Sequence, residues 1–169
     1  MISDLKEGVR RIRGAEPYIV IMAGDPTRSA MLCRELGADA ISNYIPGFKP
    51  GNNSSYDDLS SQAEAYWALM AKTGVKVIVD AIIGWDTRPR LRARGAPLEK
   101  YYRMSTPVEF FRHLSNAILF TERNASVCEA RTILIYSWNE CDEGGCMLPT
   151  LGDRSAGHLR ALSRAVGRN

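Results

Sequence analysis

The sequence predicts an α/β fold in which four strand–helix units build a parallel sheet, equivalent to half of a (β/α)8 barrel. Apolar runs typical of buried strands alternate four times with amphipathic segments typical of helices. This alternation favours a parallel sheet with right-handed crossovers. Each predicted strand also ends in polar or aromatic residues, as strands do at α/β active sites. The length of 169 residues fits a single domain over 1–169.

The first part of the chain predicts a helix and then a strand–helix–strand unit. Helical spacing of apolar residues predicts a helix over 2–13, and the uncharged run at 18–23 predicts a fully buried strand. Asp25 and Pro26 are typical of a helix start, with aspartate as the cap and proline at the first position. A shorter second strand is predicted at 38–45.

A long polar loop separates this unit from the next helix. The segment 46–56 is rich in Pro, Gly, Asn and Ser, and its length predicts a functional loop. A helix is predicted over 57–73, with Trp67 in its buried stripe and Gly74 as its C-cap. The third strand is predicted at 75–83, where β-branched residues dominate.

The remaining elements complete the fourth unit. Residues 91–105 are predicted to form a loop rich in Arg and Tyr. A Thr-Pro-Val-Glu capping box then predicts the start of a helix over 106–122. The fourth strand is predicted at 132–138 and a last helix at 156–166.

The polar residues that follow the strands should share one rim of a parallel sheet. In chain order they are Asp25, Asn43, Tyr44, Trp85, Asp86, Arg88, Trp138, Asn139, Glu140 and Glu143. Aromatic rings can stack on the C–H faces of sugars, and the polar groups can bond sugar hydroxyls. The candidate substrate-binding residues are therefore Tyr44, Trp85, Asp86, Arg88, Trp138 and Asn139.

Glu140 and Glu143 are the candidate catalytic pair. If their stretch coils into a turn, residues three apart project to one side, with Cβ atoms about 5–6 Å apart. Two carboxylates at such a distance suit a shared role in breaking a glycosidic bond. Three alternatives stay open: a plain acidic surface turn, a pairing of Asp86 with Arg88 that only shapes its loop, and a purely capping role for Asp25.

Several other classes of protein are disfavoured. The net charge is +3, but the arginines do not form one basic face, so we expect no nucleic-acid partner. No apolar run of about 18 residues exists, so we expect no membrane partner. No signal peptide precedes the first helix, which favours a cytoplasmic location for the chain as given. There is no Gly-x-Gly-x-x-Gly after the first strand, and we expect no cofactor.

Metal and triad chemistry are disfavoured as well. His113 and His158 fall inside predicted helices rather than at strand ends, so we expect them to be structural or exposed. This disfavours a Ser–His–Asp triad and a histidine-based metal site. Cys141 and Cys146 flank the acidic turn without zinc-ligand spacing, and either a disulfide or two free thiols fits them.

Four short motifs resemble the C-terminal half of glycoside hydrolase family 99-like proteins, including the glycosyltransferase WbsX-like group and, more distantly, the endo-α-mannosidases. They are Gly-Trp-Asp-Thr-Arg-Pro-Arg at 84–90, Thr-Pro-Val-Glu-Phe-Phe at 106–111, Ser-Trp-Asn-Glu-Cys-Asp-Glu-Gly at 137–144 and Leu-Pro-Thr at 148–150. The family patterns are Gly-[Trp/Phe/Tyr]-Asp-x-x-x-Arg and Trp-Asn-Glu-Trp-x-Glu-Gly. Cys141 replaces the aromatic residue of the second pattern.

The resemblance implies a (β/α)8 barrel acting as a retaining hydrolase on an α-linked glycan. Glu140 would deprotonate the 2-hydroxyl of the sugar, and Glu143 would act as general acid and then general base. Since only four units are present, the chain is expected to be a fragment that lacks an N-terminal half, a self-associating half-barrel, or a degenerate remnant. The alternative functions are a non-catalytic carbohydrate-binding domain and a part of a polysaccharide-biosynthesis protein.

Overall fold

The computed structural model describes residues 2–44, 53–95, 97 and 100–167. Its helices are α1 (Ile2–Arg13), α2 (Pro26–Leu36), α3 (Tyr56–Ala71), α4 (Arg88–Ala93), α5 (Pro107–Arg123), a 3-10 helix (Cys141–Glu143) and α6 (Gly157–Ala165). Its strands are β1 (Val20–Ile21), β2 (Ala40–Ile41), β3 (Lys76–Val77), β4 (Val79–Ile82), β5 (Ile133–Tyr136), β6 (Asn139–Glu140) and β7 (Gly145–Cys146). Residues 46–52, which are most of the predicted functional loop 46–56, lie outside the described residues.

The strands that alternate with helices pair in parallel and in sequence order. β1 pairs with β2, β2 with β3, and β4 with β5. The predicted third strand is split, because β3 pairs with one neighbour and β4 with the other. Ile78 connects the two pieces and its backbone N–H donates to the carbonyl oxygen of Ile41 at 2.9 Å. The fold is therefore α/β with small parallel sheets, and its strands are shorter than the apolar runs predicted.

The core lies between these strands and the helices α3 and α5. Trp67 is 1% exposed, as its place in the apolar stripe of α3 predicted, and its indole N–H donates to the carbonyl oxygen of Asp80 at 2.9 Å. His113 stacks on this indole with ring centroids 5.1 Å apart. His113 and His158 are both buried, so they are structural rather than exposed. The packing of α3 and α5 fixes the strand ends that follow them.

Local signals placed most helix ends correctly. The side chain of Asp25 accepts from the backbone N–H of Arg28 at 2.8 Å, which confirms the predicted cap of α2. Thr106 and Glu109 form the predicted capping box of α5. The prediction for Gly74 was wrong: α3 ends at Ala71 with Lys72 as its C-cap, and Gly74 has a positive φ beyond the helix.

Two segments contain more structure than predicted. The first part of the predicted loop 91–105 belongs to α4, a six-residue helix that begins at Arg88. The acidic turn after β5 folds into the antiparallel pair β6–β7 around the 3-10 helix. Cys141 and Cys146, whose state the sequence left open, form a disulfide across this turn. Among the described residues, no helix is long and apolar enough to cross a membrane.

Candidate functional site

The turn that follows β4 and the acidic turn that follows β5 lie directly against each other. The backbone N–H of Asp86 donates to the carbonyl oxygen of Glu143 at 2.7 Å. Gly84 is buried at this contact, and a Cβ added to it would lie 2.6 Å from the carbonyl oxygen of Gly144 and 2.8 Å from the Cα of Met104. A glycine is required because no side chain fits between the two backbones. The contact therefore brings the two motifs together in space.

Arg90 lies at the centre of the acidic turn. Its Nε donates to Asp142 at 2.7 Å, its Nη2 donates to Glu140 at 3.2 Å, and its Nη1 is bonded to Glu143. The three carboxylates come from adjacent positions of the turn, whereas Arg90 comes from α4. One guanidinium therefore joins both predicted catalytic glutamates, which places their carboxylates on one side of the turn.

Arg90 was not among the predicted site residues. Arg88 of the same segment was predicted in place of Arg90. The signal that identifies it is the spacing Gly-x-Asp-x-x-x-Arg, in which Arg90 occupies the last position. The formation of α4 brings that position to the acidic turn.

The two glutamates differ in burial and in their partners. The side chain of Glu143 is 11% exposed and accepts hydrogen bonds from Arg90 and from the hydroxyl of Tyr136. The side chain of Glu140 is 35% exposed and has one side-chain bond, to Arg90. Glu143 is consequently held on two sides, while Glu140 faces the solvent. Such an asymmetry is what a pair with two different tasks requires.

Asp142 and Tyr136, which adjoin the two glutamates, have shifted pKa values. The hydrogen bond from Arg90 lowers the pKa of Asp142. Burial raises the pKa of the Tyr136 hydroxyl, and its bond to Glu143 raises the pKa further. Tyr136 therefore stays protonated and donates to the Glu143 carboxylate.

Asp86 and Arg88 pair with each other, which is one of the alternatives the sequence left open. Arg88 donates from Nε to Oδ1 of Asp86 at 2.8 Å and from Nη2 to Oδ2 at 2.7 Å. Although burial opposes it, these bonds hold the pKa of Asp86 below its usual range. The guanidinium also lies 3.1 Å from the ring centroid of Tyr101. The polar atoms of the pair are thus engaged within the loop.

The aromatic residues separate into two groups. Tyr44 contacts Tyr136 edge-on with ring centroids 5.2 Å apart, and Trp85 is tilted against the same ring at 5.9 Å. Both rings therefore adjoin the residue that donates to Glu143. Trp138 is 54% exposed, and Asn139 is also exposed. The structure brings Tyr44 and Trp85 together around Tyr136 and leaves Trp138 and Asn139 on the surface.

Asn43 is a further polar residue at this strand end. Its side chain is 2% exposed, and neither the oxygen nor the nitrogen of its amide has a hydrogen-bond partner among the described residues. Buried polar atoms without partners are uncommon. The side chain of Asp25, by contrast, has a hydrogen-bond partner, because it caps the N-terminus of α2.

A cavity of about 740 Å³ lies apart from the candidate site. It runs beside β5, between α5 and α6, and is lined by residues such as Leu114, Ile135 and Leu162. None of the predicted site residues lines it. This cavity is therefore separate from the residues around Arg90. Within the described ranges, no group of three or more metal-ligating side chains is arranged to hold an ion.

Comparisons with known proteins identify one match. The model of the family described as Glycosyltransferase WbsX matches residues 25–161. This range includes both turns, the aromatic residues and every carboxylate of the site. No curated protein matches the chain, and no solved structure does.

Proposed function

Because the chain belongs to the glycosyltransferase WbsX family, we propose that it acts on an α-linked glycan at the rim formed by the two turns, with Glu140 and Glu143 as the catalytic pair. The observation that supports this most is the shared contact of both carboxylates with Arg90. It places two carboxylates of unequal burial beside exposed aromatic surface, a combination suited to cleaving a glycosidic bond.

The proposed reaction is the one that the resemblance to the endo-α-mannosidases implies. Glu140 takes the proton of the sugar 2-hydroxyl, and the resulting oxygen attacks the anomeric carbon to give a 1,2-anhydro sugar. The glycosidic bond breaks as Glu143 donates a proton to the leaving oxygen. Glu143 then deprotonates the water that opens the anhydro ring, and Glu140 returns its proton to the 2-oxygen. The configuration at the anomeric carbon is retained.

The exposure of the two residues fits these roles. Glu140 has a free carboxylate oxygen and is more exposed, so a sugar hydroxyl can reach it. Tyr44 and Trp85 would offer apolar faces to the sugar rings next to Tyr136. Trp138 and Asn139 would contact a more distant sugar unit from the surface.

We propose that the four strand–helix units form half of a (β/α)8 barrel and need a second half. That half is either an N-terminal segment of a longer chain or a second copy of this one. The parallel pairing in sequence order supports the proposal. The remaining substrate contacts would come from the second half.

A non-catalytic carbohydrate-binding domain is the second candidate. Arg90 favours it, because an ion pair uses the ionised form of Glu143, whereas a general acid must be protonated. In this case the aromatic rings would still hold a glycan, but no bond would break. A role in polysaccharide biosynthesis, as the name of the family suggests, would instead require a nucleotide sugar as donor.

Single substitutions of the pair test the proposal. With a panel of α-linked oligosaccharides, we expect Glu140→Gln and Glu143→Gln each to reduce the release of reducing ends by about 10²–10⁴-fold. Glu35→Gln, at an exposed site on α2, is the matched control and should retain the parent rate. Undiminished hydrolysis in both variants would overturn the assignment. Glycan binding without hydrolysis by the parent chain would favour the binding domain.

A further inference from the structure

The carboxylates of the acidic turn repel one another, and one arginine offsets this repulsion. Glu140, Asp142 and Glu143 place three carboxylates within four consecutive residues. Like charges this close repel each other, and the repulsion opposes the turn. Arg90 bonds to all three, from a position 50 to 53 residues earlier in the chain. Its Nε donates to Asp142, its Nη1 to Glu143, and its Nη2 to both Glu140 and Asp142.

The other arginines of the segment do not share this position. Arg88 is bonded to Asp86 through two nitrogens. Arg92 and Arg94 are exposed, and Arg94 faces Asp142 only through the longer-range field. The selective contact of Arg90 therefore reflects its place on α4 and not the general basicity of the segment.

We infer that Arg90 is a positioning residue for the proposed reaction: its guanidinium fixes the orientation of Glu140 and Glu143. This inference rests on the proposed function.

A lysine cannot perform the same task. A guanidinium is planar and presents donors in several fixed directions, whereas an ammonium is a compact point charge on a flexible chain. Arg90→Lys retains one positive charge but can satisfy the three carboxylates only in part. Arg90→Met removes the charge and keeps much of the side-chain volume. Arg92→Met is the matched control, because it removes a charge from the same helix outside the carboxylate cluster.

The first measurement is independent of activity. Carbon-13 NMR of the Asp142 carboxyl, titrated from pH 2 to 7, follows the group whose pKa the Arg90 hydrogen bond lowers. Its charged neighbours are Arg90, Arg94 and the two glutamates. Loss of Arg90 removes the main favourable interaction of the carboxylate, so we expect its titration midpoint to rise by about one pH unit in Arg90→Met. Arg92→Met should leave it in place, and an unshifted midpoint in Arg90→Met would overturn the inference.

The second measurement is kinetic. In Arg90→Met we expect kcat to fall by about 10²-fold with a smaller change in KM, since a misplaced catalytic group affects the reacting geometry. The pH–rate profile should move to higher pH, and Arg90→Lys should recover part of kcat. Retention of both kcat and the profile would refute the role of Arg90 and leave the proposed function intact. Glycan binding without turnover by the parent chain would refute the proposed hydrolysis, and the NMR titration would still decide whether Arg90 organises the carboxylates.

Discussion

The buried carboxyl of Asp80 shows how this fold changes the chemistry of a single residue. Asp80 is 1% exposed, and burial raises its pKa to about 7, although the indole of Trp67 donates to its Oδ1 at 3.2 Å. Within the part of the chain that the structure describes, its Oδ2 has no hydrogen-bond partner. A buried carboxyl with one unpartnered oxygen favours the neutral form, because ionisation without a counter-ion is costly.

Asp80 should make the protein less stable as the pH rises. Its folded pKa lies above the unfolded value of 3.8, so the native state binds the extra proton between these values. The contribution of Asp80 to the free energy of unfolding is therefore most favourable below about pH 4. It falls as the pH rises through 7, by roughly 4 kcal/mol in total. We expect Asp80→Asn to flatten this decline in urea denaturation at pH 4.5, 6 and 8. Parallel stability profiles for the parent chain and the variant would contradict the prediction, and Glu35→Gln is the control.

At the residue scale, the sequence predicted the identity of many polar groups but not their partners. Asp25 was predictable as a cap, because its partner lies three residues away. The motif spacing distinguishes Arg90 from Arg88, but the partners of Arg90 were not predictable, because they depend on the path of α4 and on a turn some 50 residues later.

At the scale of the elements, the close contact between the two turns leaves no room for a side chain at Gly84. Gly84→Ala would place a methyl group against two backbones, at Gly144 and Met104. We expect a loss of about 1–3 kcal/mol in the free energy of unfolding, measured by urea denaturation. Gly8→Ala, within α1 and with open space around the added Cβ, should instead stabilise by about 0.5–1 kcal/mol. Equal effects of the two changes would show that the turns do not pack so closely.

Element boundaries were predictable where a local signal sets them. The capping box of α5 and the proline and aspartate of α2 gave correct helix starts. The break of the third strand at Ile78 was not predictable, since it arises from the pairing of β3 and β4 with different neighbours. The apolar run across that break is continuous, and only the other strands reveal where pairing changes.

For the whole molecule, the outer edges of the parallel strands are the prominent feature. Among the described residues, β1 and β5 each pair with a strand on one side alone. Met22, just past β1, is 43% exposed, and Leu134 in β5 is 37% exposed. Open edges with apolar side chains favour pairing with another chain. The cavity beside β5 lies along one of these edges.

We therefore expect the isolated chain to self-associate. Light scattering should give a mass well above 18.8 kDa at micromolar concentration. Leu134→Lys should lower that mass, because a charge on an edge strand disfavours pairing. Leu151→Lys, at a position that is 87% exposed and outside the strands, is the control. A stable monomer in the parent chain would contradict the half-barrel proposal in its self-associating form.

The distance along the chain between Arg90 and its carboxylates has a consequence for how the site comes into being. A short peptide spanning the acidic turn would contain Glu140, Asp142 and Glu143 and the Cys141–Cys146 disulfide, but it would lack the cation that bonds all three carboxylates. Bringing Arg90 to the turn closes a loop of about 50 residues, whose entropic cost tertiary packing must offset. The complete site therefore cannot be transplanted to another scaffold as one contiguous segment.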